Sequence, residues 1–435
     1  MHPQLEITPH TALIDVPRRI ALRGLPPGQR VTLQSRTVRG PQVEWTSEAV
    51  FLADADGSVD LTRDAPVAGS YSGVSAMGLI WSQTQEAGAS AEPFAAEPSA
   101  DLTTEVRVLL GDDGPVLTAD FVQQLASEGV TRREVREQGL SAVLFTPATP
   151  GPHPVVMVLN GSGGGINEPR AALYASRGYA ALAVGYFKCP GRSDYISDTH
   201  LEYFETALHW IHRELKPQSG FVALSGQSRG GELVLLLGSL FPDLVKAVIG
   251  YVPGAVVHCA QNACNPATGR EGPAWIFRGK PVPDVWTNNR TATWAPWDDG
   301  PEPRRHTAAI LTALQDPEAV ERARIRVERI DGPVLLLSAT DDGSWPSSLY
   351  GRMVKGHLAA HDHPYPVEHH DWQGGGHAIL FPYVPTTHLV YAHPVSKRLS
   401  TTGGTPAINA RANEESWAAV QAFLQRATAA PIRTS

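Results

Sequence analysis

Five residues constrain this chain more than any others: Gly226-Gln227-Ser228-Arg229-Gly230. A short apolar run, residues 221–224, precedes them, and the leucine-rich stretch 232–240 follows. Strand, G-x-S-x-G turn and helix in that order hold a serine on a sharp bend at the edge of a sheet, where a base and a substrate both reach its hydroxyl. The flanking glycines are required because side chains there collide with the neighbouring strand and helix. Alone, the pentapeptide also fits a structural turn with a surface serine, so its partners decide.

A serine hydroxyl needs a base, and the base needs an orienting acid. The apolar run 334–338 leads into Ala339-Thr340-Asp341-Asp342, which sets carboxylates just past a strand end. Further on, Gly374-Gly375-Gly376-His377 places a histidine on a permissive loop. Serine, aspartate, histidine is the chain order expected of this architecture. Ser228 is therefore the expected nucleophile and His377 the base. Asp342 is preferred to Asp341 as the acid because a two-residue spacer after Ala339 suits its reach, with Asp341 facing backbone amides in the turn.

The negative oxygen of a tetrahedral intermediate needs donors. One is the backbone N–H of Arg229. The other is expected from the loop Asn160-Gly161-Ser162-Gly163-Gly164-Gly165, whose Gly163 and Gly164 amides can turn inward with no side chain in the way. A phosphate cradle is the rival reading of that loop, but the G-K-[ST] ending of nucleotide loops is missing. Ser162 is a weaker rival nucleophile, since no elbow holds it. Histidines 361, 363, 369 and 370 lack clean metal-ligand spacing and are expected as surface loop residues, so neither a metal nor any other cofactor is expected.

A chain of 435 residues is too long for one ordinary core, and the pattern divides it in two. In residues 1–130, short candidate strands (19–22, 30–35, 44–52, 58–61 and 101–110) recur between glycine and proline clusters, which predicts a β-sandwich of immunoglobulin-like size. The glycine-rich apolar stretch 69–81 is expected to pack on another surface. Across 131–435 the period changes. Strands at 140–145, 155–159, 180–184, 247–251 and 334–338 alternate with helices at 168–177, 200–215 and 414–426, which predicts an α/β domain with a mostly parallel sheet. Roughly eighty residues, about 253–330, interrupt that alternation and carry Trp275, Trp286, Trp294 and Trp297, an expected cap or pocket wall.

The net charge of −8 argues against nucleic acid as the main partner. No stretch is long and apolar enough to span a bilayer, and the first residues lack the basic-then-apolar pattern of a secretory signal. Three cysteines, with Cys259 and Cys264 expected as free thiols, suit a reducing compartment, so a cytoplasmic location is expected.

The sequence further resembles the family of acyl-coenzyme A thioesterases and bile acid-coenzyme A:amino acid N-acyltransferases. The resemblance runs in segments over nearly the whole chain: Gly57-Ser58-Val59-Asp60-Leu61, Gly69-Ser70-Tyr71-Ser72-Gly73-Val74, Leu201-Glu202-Tyr203-Phe204-Glu205, the Ser228 elbow, Asp341-Asp342 with Trp345, and Gly376-His377. It implies an immunoglobulin-like domain followed by an α/β-hydrolase domain, with Ser228, Asp342 and His377 at the catalytic positions. It also implies a small acyl substrate carried as a coenzyme A thioester, and serine at the nucleophile position tilts the implied reaction toward hydrolysis. Lys188, Arg192 and Arg229 are candidate contacts for coenzyme A phosphates. The alternatives are hydrolysis of an oxygen ester, transfer of the acyl group to an amino acid, and a non-catalytic protein-binding module.

Overall fold

The computed structural model describes residues 2–40, 42–85, 100–111 and 115–429. The chain forms two compact units. The first takes in residues up to Ser127 with Leu380–Leu389 and Thr405–Trp417, and the second Glu128–Ile379 and Val390–Gly404 together with the chain from Ala418 onward.

The second unit holds eight strands in one sheet, the inner ones buried as runs of mostly branched and small apolar residues. The strands are β1 (Thr131–Val135), β2 (Ala142–Thr146), β3 (Val155–Leu159), β4 (Ala180–Val184), β5 (Val222–Gln227), β6 (Ala247–Tyr251), β7 (Val334–Ala339) and β8 (Val367–Trp372). They lie side by side in the order β1-β2-β4-β3-β5-β6-β7-β8. The β1–β2 and β2–β4 pairs are antiparallel, and all the others are parallel. Every residue of β3, β4, β6 and β7 is buried, which is why they read as unbroken apolar runs rather than alternating ones. Helix α1 (Glu168–Ser176) packs on β4, α3 (Arg229–Leu240) on β5 and β6, and α4 (Ser347–Ala360) on β7 and β8, while α2 (Glu202–Trp210) widens into a π-turn through Leu215.

Register aligns the working ends of these strands. Leu159 pairs with Gly226, Gln227 with Tyr251, Tyr251 with Leu337 and Ala339 with Trp372. The loops after β3, β5, β7 and β8 therefore leave the sheet along one edge, the edge where ligands bind in open α/β sheets.

The two outer strands β1 and β8 depart from the sequence expectation. Thr131–Val135 and Val367–Trp372 carry charged and histidine side chains, so they do not read as strands, and charge on an edge strand guards against unwanted pairing. Two of the expected loop histidines, His369 and His370, lie on β8, and His369 Nε2 is 2.7 Å from Ser338 Oγ.

The first unit contains a three-stranded sheet (Gln4–Thr8, Arg19–Arg23, Val59–Asp60) and a larger one centred on Arg30–Arg39, Val43–Leu52, Leu102–Leu109 and Pro115–Gln124. Their pairings are antiparallel, except that Thr11–Leu13 runs parallel to Pro115–Gln124. Alternate burial along Arg30–Arg39 and Leu102–Leu109 supplies Val31, Leu33, Val106 and Val108 to a core shared with Ile20, Leu22 and Val59 of the smaller sheet. Tyr71, Met77, Leu79, Ile80 and Trp81 of the glycine-rich stretch sink into this same core.

Candidate active site

Ser228 sits between β5 and α3 with φ 58° and ψ −119°, a left-handed conformation that costs a non-glycine residue on the order of 1–3 kcal/mol. Packing pays that cost. The Ser228 N–H donates to the Tyr251 carbonyl on β6 at 2.8 Å, and its carbonyl accepts from Glu232 N–H at 3.0 Å. The flanking glycines have no room for side chains. A Cβ at Gly226 would stand 2.1 Å from the Gly230 carbonyl oxygen, and one at Gly230 would stand 2.5 Å from the Asn160 carbonyl oxygen. The bend is thus wedged between its own helix and the end of β3.

The structure brings the three predicted side chains together. Ser228 Oγ lies 2.8 Å from His377 Nε2, and His377 Nδ1 lies 2.8 Å from Asp342 Oδ2. Asp342 is 3% exposed and His377 9%, so the acid and the base are shielded while Ser228 remains partly exposed. The other Asp342 oxygen accepts from the N–H groups of Ser344 (2.9 Å) and Trp345 (3.1 Å), which leaves Oδ2 pointed at the imidazole. His377 is anchored through its own N–H to the Thr402 carbonyl at 2.8 Å. Gly376 permits that approach, since a Cβ there would fall 2.2 Å from the Gly403 carbonyl oxygen. Asp341 takes a separate role, accepting from Arg305 at 2.6 Å and from Gly404 N–H at 2.8 Å while staying half exposed.

The donor groups are placed less evenly. Arg229 is the first residue of α3, so its backbone N–H belongs to the unpaired donors at a helix start, beside the serine. In the loop after β3, Gly161 lies against the elbow, for a Cβ there would be 3.7 Å from Ser228 Oγ. Gly164 N–H, however, donates to the Gly161 carbonyl at 3.1 Å and closes a turn within the loop, so that donor is already taken. Gly163 sits in the same turn, facing Pro394.

The Arg229 side chain overturns one sequence expectation. Its guanidinium is buried, donating to Glu232 (3.0 Å), to the carbonyl of Cys259 (2.9 Å) and to Gln261 Oε1 (3.0 Å). It therefore holds the insertion to the elbow helix and offers nothing to a phosphate. Glu232 is wholly buried and also accepts from Trp275 Nε1 at 2.8 Å; burial raises its pKa and Arg229 opposes the rise. The other two candidate cations remain near the surface. Lys188 donates to the Pro394 carbonyl at 3.2 Å, and Arg192 donates to the Gly139 carbonyl with its plane 3.9 Å from the Tyr203 ring centre.

Sequence reasoning missed the aromatic shell behind the relay. Trp345 meets His377 edge-on with centroids 6.1 Å apart, donates its indole N–H to the Val252 carbonyl at 2.8 Å, and stacks on His258 at 5.4 Å. His258 Nδ1 accepts from Gln261 (3.1 Å) and Trp286 (3.3 Å), so its Nε2–H faces Tyr350 Oη at 2.8 Å. Burial, reinforced by Arg229, keeps this imidazole neutral by pushing its pKa well down. The four tryptophans of the insertion are buried, with Trp286 and Trp294 stacked at 3.8 Å and His306 stacked on Trp294 at 5.6 Å. Only the density of tryptophan in 253–330 signalled this, because the contacts that tie it to Trp345 and Tyr350 join residues about ninety positions apart. Among the described residues no cluster of three or more His, Cys, Asp or Glu is placed to hold a metal ion, and no helix is long and apolar enough to cross a membrane. Cys189, Cys259 and Cys264 are free.

A mostly parallel sheet with a serine on its central strand-to-helix bend, an aspartate after β7 and a histidine after β8 defines the class, an α/β-hydrolase core. Two family models narrow it: residues 199–430 match "BAAT / Acyl-CoA thioester hydrolase C terminal" and residues 15–137 match "Acyl-CoA thioester hydrolase/BAAT N-terminal region". The chain belongs to the acyl-CoA thioesterase/BAAT family of α/β-hydrolases. It is 30% identical over 424 residues to acyl-coenzyme A thioesterase 1 of Rattus norvegicus, covering 95% of this chain and 93% of that one. It is likewise 30% identical to mitochondrial acyl-coenzyme A thioesterase 2 of Mus musculus, over 95% of this chain and 86% of that one. Among solved structures, an arylesterase aligns over 69% of this chain and 85% of its own with a TM-score of 0.38 and 15% identity, too distant to bear on function.

Proposed function

We propose that this chain hydrolyses acyl-coenzyme A thioesters through an acyl-serine intermediate on Ser228. One observation carries the reading: the unbroken line of hydrogen bonds from Ser228 Oγ through His377 to Asp342, at 2.8 Å in each step. Family membership, and the thioesterase names of the relatives that match nearly end to end, support the substrate class.

In the first half-reaction His377 Nε2 takes the proton of Ser228 as Oγ bonds to the thioester carbonyl carbon. Asp342, accepting from Nδ1–H, stabilises the imidazolium. The backbone N–H of Arg229, with a second donor from the Gly163 region, receives the oxyanion. As the intermediate collapses, the C–S bond breaks and His377 returns the proton to the departing sulfur, which leaves as the thiol. In the second half-reaction His377 deprotonates water, the hydroxide adds to the acyl-serine, and Ser228 departs with the proton to release the acid. No metal or redox cofactor is required for any step. An oxygen ester passes through the same steps, with an alcohol leaving in place of the thiol.

The two sheets of the first unit, sharing one core, support reading residues 1–130 as an immunoglobulin-like sandwich and 131–435 as the catalytic α/β-hydrolase domain with its insertion at about 253–330. Three free thiols fit a reducing, cytoplasmic setting.

The test is fluorophosphonate labelling alongside thiol release from coenzyme A thioesters of graded chain length, measured against matched oxygen esters with and without glycine or taurine. Labelling and turnover should both vanish in Ser228→Ala. Undiminished labelling in that variant would refute the nucleophile, and accumulation of an amide conjugate in place of free acid would refute hydrolysis.

A further inference from the structure

A second serine–histidine contact lies beside the relay. Ser162 Oγ is 3.0 Å from His393 Nε2. His393 follows the strand Val390–Ala392, which pairs with Leu399–Thr401 to form a hairpin. Its N–H donates to the Arg398 carbonyl at 3.0 Å and its carbonyl accepts from Lys397 N–H at 2.9 Å, so the ring is fixed by its own tight turn. The residue after it, Pro394, is the neighbour that a Cβ on Gly163 would meet, at 3.5 Å. The hairpin tip thus rests on the glycine loop.

The direction of the Ser162–His393 bond follows from the other ring nitrogen. His393 Nδ1 faces the backbone N–H groups of Val395 (3.2 Å) and Ser396 (3.3 Å), which can only donate. Nδ1 must therefore be the bare acceptor, and the ring proton resides on Nε2. Burial, with Lys188 and Lys397 adding, holds the pKa of this imidazole down to about 4, so it stays in that neutral form. Nε2–H then donates to Ser162 Oγ. His393 is unable to serve Ser162 as a base, which removes Ser162 as a rival nucleophile. The serine's own proton is left to point elsewhere, and among the described residues His393 is the only side-chain partner found for its hydroxyl.

We propose that Ser162, oriented by His393, donates its hydroxyl proton to the carbonyl oxygen of the substrate and acts as a side-chain donor of the oxyanion pocket. Its position supports this. It follows Gly161, the residue packed on Ser228, in a loop whose Gly164 amide is already spent within its own turn. His393 is a positioning residue, since it acts through Ser162. The proposal rests on Ser228 being the nucleophile.

Steady-state turnover of a coenzyme A thioester and the rate of fluorophosphonate labelling, whose phosphoryl oxygen occupies the same pocket, test it together in the full chain. In Ser162→Ala, kcat should fall by about 10- to 100-fold, toward the loss typical of removing one oxyanion donor, with KM changing less than about threefold and labelling slowed in parallel. His393→Gln, whose amide N–H can replace Nε2–H, should keep several-fold more kcat than His393→Leu. A Ser162→Ala enzyme within twofold of the parent in both kcat and labelling overturns the proposal. Where that variant does not fold, equal kcat in His393→Gln and His393→Leu overturns it instead. Loss of label and turnover in Ser228→Ala separates these outcomes from failure of the nucleophile assignment, for an active Ser228→Ala enzyme would refute both readings.

Discussion

Replacing Asp342 with Asn changes one atom in the relay and tests the proposed chemistry most sharply. The Asp342 carboxylate accepts three hydrogen bonds: His377 Nδ1–H at 2.8 Å on one oxygen, and the N–H groups of Ser344 and Trp345 at 2.9 and 3.1 Å on the other. An asparagine has a single acceptor oxygen. The two backbone N–H groups cannot turn away, so that oxygen stays with them and the new NH2 faces His377. Nδ1 must then become an acceptor, and the ring proton moves to Nε2, against the Ser228 hydroxyl. The base presents a proton where it needs a lone pair. Loss of the correct tautomer in a serine–histidine–aspartate relay lowers kcat by about 10⁴-fold, or about 5.5 kcal/mol at 1.36 kcal/mol per decade. Thiol release from a coenzyme A thioester measures the rate, with thermal unfolding beside it to establish that the fold persists. The neighbouring Asp341→Asn is the control. That residue is half exposed and bonded to Arg305 and Gly404, so its turnover should stay within about threefold of the parent. An Asp342→Asn enzyme within tenfold of the parent, or equal losses at both positions, would refute the assignment of the acid.

Three further outcomes follow from packing and burial. Glu232→Ala leaves the Arg229 guanidinium buried without its carboxylate and removes the acceptor of Trp275 Nε1, so urea unfolding should show a loss of about 3–5 kcal/mol. Gly226→Ala drives a methyl to 2.1 Å from the Gly230 carbonyl oxygen, and because the obstacle is backbone the cost should exceed about 3 kcal/mol, read as a fall in the melting temperature with loss of labelling at Ser228. His306 is buried, and desolvation first, then His393, lowers its pKa from 6.5 to about 3. The unfolded chain therefore binds a proton below pH 6.5 that the folded chain refuses, and stability falls as the pH drops from there toward 3. Between pH 7.5 and 5 this one group costs about 1.5 × 1.36, or roughly 2 kcal/mol. His306→Phe should shrink the acid-induced loss by about that amount in urea titrations at the two pH values, and an unchanged difference would contradict the buried neutral ring.

How much of this was legible beforehand depends on where the relevant physics acts. Strands β3, β4 and β6 were recoverable to the residue because burial on both faces leaves only apolar choices, and that pattern is local. The elbow was legible for the same reason: its glycines answer to contacts that any strand-turn-helix of this kind must make. Ser228, Asp342 and His377 could be lined up because each follows a strand end, and parallel strands place their ends along one edge. Edge strands fail this logic. Thr131–Val135 and Val367–Trp372 have a partner on one side only, so they tolerate the charges that disguise them. The Arg229 side chain was misjudged from its place beside the elbow, because whether it meets solvent or Glu232 is decided by the insertion folding over it. The bond from Ser162 to His393 lies beyond reach in the same way. The two residues stand 231 positions apart, and the orientation of that bond rests on two backbone N–H groups in a turn that no composition or period reveals. What the chain writes locally is the scaffold and its nucleophile. What it writes only in three dimensions is which donors are spent and which remain free, and that distinction moves the proposed second oxyanion donor from the Gly164 amide toward the Ser162 hydroxyl.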